Sequence, residues 1–369
     1  MIYNLKKAII QFVLILIILV LSSVSCKKNS TQEEDETPDI IENIEFIKGA
    51  DLSYLPDIDN YNIEFYNKTG KVDEMLNILK NKGLNTVRIR IWKEPLDVTS
   101  SFDTVAKFAE KVKSMGLKVW LNLHYSDSWA DPGKQNIPKD WENIEFNDLK
   151  DSVYTYTQNI VAVMQPDFVQ IGNEINRGIL WPEGLNPANK KQFKELLNSG
   201  IMAVRDNSAD ARIILHYAGF VDGTNFFRSI GTLDYDIIGI SYYPWWHGKD
   251  LSLLKNELRA MKKNLYKNVI IAEISYPFTL EWNDLTNNII GSEEQLIIPD
   301  YPATQDGQYD FMNKIVEILD EAEVDGFCYW GAEWVAYKGQ TAKNASSWEN
   351  LALFDFDNKL VKAAEIFNR

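Results

Sequence analysis

From residue 47 onward the chain alternates between two apolar patterns. Eight short runs are apolar almost without a break: 47–51, 86–91, 118–123, 167–171, 212–216, 236–241, 268–272 and 326–330. Such runs read as strands buried on both faces, as in a parallel sheet. Between them, apolar residues recur at three- and four-residue spacing. Val72, Met75, Leu76 and Leu79 share one face of 72–82, which stops at Gly83. Val105, Phe108, Ala109 and Val112 share one face of 102–115, which stops at Gly116. Segments 192–205, 251–265 and 309–322 behave alike. An apolar stripe closed by glycine predicts a helix. Eight strands, each followed by helix or long loop, predict an α/β protein, one (β/α)8 barrel without internal repeat or second domain.

The two ends of these strands differ in chemistry. Beyond the C-terminal ends stand Arg88-Ile89-Arg90-Ile91-Trp92, the run from His124 to Pro132, Tyr242-Tyr243-Pro244-Trp245-Trp246-His247-Gly248 and Tyr329-Trp330-Gly331-Ala332-Glu333-Trp334. The opposite ends, such as Asn81-Lys82-Gly83, are plain turns. The C-terminal face is therefore the expected working face. Run four ends in Asn173-Glu174, which alone suits a polar strand end or helix cap as well as a catalyst. Run seven also ends in a carboxylate, Glu273. Two strand-end glutamates are what a retaining glycosidase needs, one to protonate the leaving oxygen and one to attack the anomeric carbon.

The chain has 369 residues and a net charge of −15, which repels phosphate backbones and excludes nucleic acid as an expected partner, but not a neutral polysaccharide. Of the eleven tryptophans and 17 tyrosines some must be core, but sugar faces also pack on such rings. Residues 1–25 form a targeting segment: Lys6 and Lys7, then an apolar stretch 8–21 shorter than the ~20 residues of a spanning helix. Small residues lead into Cys26, resembling a bacterial lipoprotein signal with lipidation at Cys26; an ordinary signal peptide or an uncleaved anchor is the alternative. Residues 26–45 read as a disordered tether and 46–369 as the barrel domain. A monomer held by lipid in the bacterial cell envelope, on the outer membrane and facing outward, is expected. Cys328 reads as a core residue, and no disulfide framework is available.

Seven segments then give a specific resemblance: GADLSYLP (49–56), LNTVRIRIW (84–92), LNLHYSDSWADPGKQ (121–135), VQIGNEINRGILWPEG (169–184), IIGISYYPWWHG (237–248), AEISYPFT (272–279) and WENLALFDF (348–356). The chain resembles the endo-β-1,4-galactanases of glycoside hydrolase family fifty-three. The resemblance implies a retaining barrel enzyme acting on β-1,4-linked galactan, without a required cofactor, with Glu174 as acid/base and Glu273 as nucleophile. The acid needs a raised pKa and the nucleophile needs donors. Arg88 or Arg90 can supply one, since strand alternation turns both inward; a structural salt bridge is the alternative. Asn173 is placed to bond the sugar 2-hydroxyl. His124 and Asp127 are expected to bond the sugar or orient Glu174, with loop bracing as the alternative. Trp330 is a candidate platform beneath the sugar. Tyr242, Tyr243, Trp245, Trp246 and Trp92 are candidates for the cleft wall, some of them core instead, and His216 is open between structural and functional roles. Zinc spacing is absent. Some bacterial relatives hold calcium in the loop after strand seven, where this chain offers Asp284 and Asn288, with Glu281 nearby. Two other readings remain at this point: a retaining mannanase or cellulase, and a surface glycan-binding lipoprotein without activity.

Overall fold

A computed structural model describes residues 43–369. Cys26, the targeting segment and nearly all of the tether lie outside the described residues. Eight strands close into a barrel: β1 Ile47–Asp51, β2 Thr86–Ile91, β3 Lys118–Leu123, β4 Phe168–Ile171, β5 Arg212–Ala218, β6 Ile237–Ser241, β7 Asn268–Ile274 and β8 Gly326–Trp330. Each runs parallel to the next, and β8 pairs with β1. Around them lie α1 Met75–Asn81, α2 Phe102–Ser114, α3 Phe146–Met164, α4 Lys190–Asn207, α5 Gly223–Ile230, α6 Leu251–Leu265 and α7 Gln305–Ala322. A 3-10 segment, Lys362–Asn368, packs on α7 after β8.

The glycine-closed stripes fold as expected. In both α1 and α2 the chain leaves through a left-handed glycine, Gly83 or Gly116, and the next amide reaches back to the last turn: Leu84 N to Leu79 O at 3.2 Å, Leu117 N to Val112 O at 3.3 Å. One expectation is corrected. Val72 is not helical; it pairs with Tyr66 in a two-stranded ribbon, and the extended backbone of Glu74 delays α1 to Met75. The spacing of Val72 to Met75 matched a helix only by coincidence. The long helix α3 does not announce itself, because its buried stripe runs through Val153, Thr157, Ile160 and Val161. These β-branched residues favour strands, and Thr157 is tolerated inside by its hydrogen bond to Tyr125 Oη at 2.7 Å.

Ile47, Trp120, Phe168, Ile214, Ile237, Ile270, Ala272 and Cys328 fill the barrel's lower interior. The next layer toward the C-terminal ends is polar: Asp51, Arg88, Asn122, Gln170, His216, Ser241 and Glu273, all buried. β7 departs from simple alternation. Against β6, Ile271 pairs with Ile240 but Glu273 pairs with Ser241; against β8, Ile271 pairs with Phe327 and Ile274 with Tyr329. One extra residue is thus inserted in β7. Such a bulge re-aims side chains: Ala272 and Glu273 both serve the interior, and Ile274 returns to the outer core.

Candidate active site

The strands' C-terminal ends and the loops beyond them enclose a cleft of about 960 Å³, bounded by Tyr54, Trp129, Asn173, Glu174, Tyr243, Trp246, His247, Glu273, Trp330, Trp334 and Trp348. Glu273 is almost wholly buried and has a donor on each carboxyl oxygen. Arg88 Nη2 meets Oε1 at 2.8 Å, and Tyr243 Oη donates to Oε2 at 3.0 Å. Arg88 also pairs with Asp51 Oδ2 at 2.9 Å and donates to Gln170 and Asn173. Burial raises the Glu273 carboxyl; Arg88 opposes that rise, Asp51 adds to it, and Tyr243 opposes it. The guanidinium itself is held fully charged by Glu273 and Asp51 against the cost of burial.

Glu174 meets a different environment. Gly172 has φ +78°, and a Cβ there would sit 2.7 Å from Ile175 Cγ2, so only glycine allows the turn out of β4. Glu174 itself is left-handed, at φ 46° and ψ 57°, an unusual state for a residue with a side chain. Ser241 Oγ donates to Glu174 Oε1 at 2.6 Å, and His216 Nε2 lies 2.9 Å behind that hydroxyl. Since Ser241 gives its proton to Glu174, the hydroxyl lone pair takes the proton of His216 Nε2, which assigns that tautomer. His216 stays neutral, its pKa lowered by burial and then by Arg88. Burial and the Glu273 charge push the Glu174 carboxyl up to about 8, against the pull of Ser241.

The expected residues divide. Arg88, Asn173, Tyr243, Trp330 and both glutamates come together. Asn173 Oδ1 collects Arg88 Nη2, Asn122 Nδ2 and Gln170 Nε2 at 3.0–3.1 Å, and its Nδ2 donates to Ala130 O at 2.8 Å. Arg90 does not reach Glu273. It stacks on Trp129, Trp92 and Tyr54 at 4.0, 4.5 and 4.7 Å and donates to Ser100. Tyr242 is in the core, facing outward from the barrel against Phe220 and Phe311, with its hydroxyl on Gly248 O. Asp127 braces its loop by accepting from the amides of Glu94 and Lys139. His124 is buried beneath Trp129 and bonded to Asn122 and the Ala130 amide, away from Glu174. Asp51, Gln170 and Ser241 were not singled out in the sequence, although each is the last or next-to-last residue of its strand; counting alternation to the strand ends would have found them.

Among the described residues no three His, Cys, Asp or Glu side chains gather as a metal cluster. Asp284, Asn288 and Glu349 are nonetheless buried together, with Asp284 Oδ2, Asn288 Oδ1 and Glu349 Oε2 lacking a hydrogen-bond partner. Glu281 stands exposed beside them.

Comparison with known proteins agrees with this geometry. The sequence model of Glycosyl hydrolase family 53 matches residues 47–367. The chain is 33% identical over 338 residues to an arabinogalactan endo-beta-1,4-galactanase of Cellvibrio japonicus, covering 87% of this chain and 89% of that one. It is 32% identical over 332 residues to an endo-beta-1,4-galactanase of Bacillus subtilis, covering 83% and 75%. Among solved structures, a family 53 catalytic domain from Ignisphaera aggregans superposes with a TM-score of 0.82 at 35% identity, covering 88% of this chain and 96% of that one. A fungal beta-1,4-galactanase superposes with a TM-score of 0.74 at 27% identity, covering 87% and 98%.

Proposed function

The chain belongs to glycosyl hydrolase family 53, and from that premise we propose that it is an endo-acting, retaining β-1,4-galactanase cutting the (arabino)galactan side chains of pectin. The observation that carries the mechanism is the unequal setting of two facing carboxyls. Glu273, gripped by Arg88 and Tyr243, is the nucleophile. Glu174, raised to about 8, is the acid. In the first step a Glu273 oxygen forms a bond to the anomeric carbon, the glycosidic C–O bond breaks, and the proton of Glu174 passes to the leaving oxygen. Glu273 loses its charge as Glu174 gains one, so the buried site keeps its net charge. In the second step Glu174 takes a proton from water, the water oxygen bonds to the anomeric carbon, and Glu273 is released. Trp330 and its neighbours supply flat apolar faces for the sugar.

Purified protein should release oligosaccharides from β-1,4-galactan and none from mannan or cellulose. Proton NMR of the nascent reducing end should show the β-anomer first; the α-anomer first would overturn the retaining assignment.

We propose that Cys26 carries lipid and that 26–45 tethers a monomeric domain at the outer surface of the envelope. A Cys26→Ala variant should leave the membrane fraction with its activity intact. We also propose a structural calcium held by Asp284, Asn288 and Glu349, supported by their three unpartnered buried oxygens. Bound there, a hard cation would tie the loop after β7 to the segment around Glu349, whose neighbour Trp348 lines the cleft. Chelation should lower the melting temperature and added calcium should restore it; an unchanged melting curve would reject the site.

A further inference from the structure

Behind the cleft the chain buries another carboxyl that neither step above uses. Glu333, in the loop after β8, has no exposed surface. Its Oε1 accepts the backbone N–H of Tyr54 at 3.0 Å and the indole Nε1–H of Trp334 at 3.1 Å. Tyr54 lies beyond β1 and Trp334 beyond β8, and both face the cleft. Trp334 is 4.7 Å from Trp330 and meets Tyr54 edge-on at 5.1 Å. Trp330 in turn lies edge-on to Tyr243, the residue that holds Glu273. One carboxyl oxygen therefore joins two loops and sets the tilt of the aromatic wall.

A counter-ion role fits poorly. Glu333 Oε2 has no partner, and Arg90 spreads its guanidinium on the rings of Tyr54, Trp92 and Trp129. No ion pair joins Glu333 to a cation among the described residues. Asp51, close enough to repel it, is already committed to Arg88.

We propose that Glu333 is a positioning residue for substrate, fixing the faces of Trp334 and Tyr54 along the sugar-binding cleft. The inference rests on the glycosidase reading and deepens it. The carboxyl works as a hydrogen-bond acceptor rather than as a charge. Burial, with Asp51 next, pushes it up to about 8 against the pull of its backbone donors and of the Arg90 charge, so it sits largely neutral at pH 7. Its replacement by an amide, which keeps shape and a carbonyl acceptor, should therefore be mild.

Glu333→Gln should keep kcat/KM on galactan within about threefold of wild type. Glu333→Ala and Trp334→Phe should each raise KM about tenfold with little change in kcat, the loss expected for one well-placed hydrogen bond. The double variant should lose less than the sum of the two single ones, because the Glu333–Trp334 bond is common to both. Glu333→Gln failing as badly as Glu333→Ala would overturn the proposal, as would an unchanged KM in a folded Glu333→Ala protein. Should Glu333→Ala not fold, the Gln and Trp334→Phe variants still decide. Near-ultraviolet circular dichroism of the ligand-free proteins reads the tryptophan arrangement without substrate. It should change in Glu333→Ala and persist in Glu333→Gln; identical spectra in all three would refute the tie. Wild-type protein inert on galactan would instead sink the substrate reading and leave this spectral test standing.

Discussion

At the end of β4 a glutamate is turned toward the cleft by a left-handed backbone; at the end of β7 another is turned there by an inserted residue. The devices differ, and so do the partners. Glu174 touches a serine hydroxyl backed by a neutral histidine, while Glu273 touches a guanidinium and a phenol. Burial raises both carboxyls, yet only Glu273 has a cation in direct contact to hold its charge. The protonation state of each carboxyl is thus set by burial and by what faces it, the physical basis for the proposed roles of one residue type as acid in one place and nucleophile in the other.

The largest effects should come from removing the carboxyls themselves. Glu273→Ala should lose roughly 10⁴-fold or more on every substrate, with azide giving the α-galactosyl azide. Glu174→Ala should lose about 10²–10⁴-fold in kcat/KM on galactan but little in kcat/KM on aryl galactosides with acidic leaving groups; the second step slows for both, and azide should restore it and give the β-product. Equal losses on both substrate types would break the contrast between the two strand ends. Next comes the cation. Arg88→Met should destabilise by about 3–5 kcal/mol in denaturant unfolding, since it strands Glu273 and Asp51 in the interior. It should also move the acid limb of the pH profile upward, because Arg88 lowers the Glu273 pKa.

The folded pKa of Glu174, about 8, lies above its unfolded value. The proton therefore favours the fold at low pH, and that contribution fades as pH rises through about 8. Relative to wild type, Glu174→Gln should gain stability between pH 5 and pH 9, by an amount on the order of a few kcal/mol. A constant difference across that range would mean the carboxyl is not perturbed. The smallest effect is expected from Ser241→Ala, about 1 kcal/mol of stability. Losing the hydroxyl should shift the alkaline limb upward, since Ser241 lowers the Glu174 pKa.

The barrel could be read from the chain because its rules are local. Strands buried on both faces leave continuous apolar runs, and glycine closes α1 and α2. The two glutamates were legible for the same reason, each standing where an apolar run ends. What pattern could not decide was which neighbours meet. The alternation that turns Arg88 and Arg90 inward is local, but only packing sends Arg88 to Glu273 and stacks Arg90 on Trp129. Tyr242 and Tyr243 are adjacent in sequence, and strand geometry points one into the core and the other at Glu273. Alternation from Ile270 and Ala272 predicts that Glu273 points away from the barrel interior; the bulge in β7 reverses this. Backbone periodicity acts between residues near in sequence and is written there directly. Hydrogen bonds such as Ser241 to Glu174 or Glu333 to Tyr54 join residues 67 and 279 positions apart, and no local rule specifies such a partner before the barrel closes.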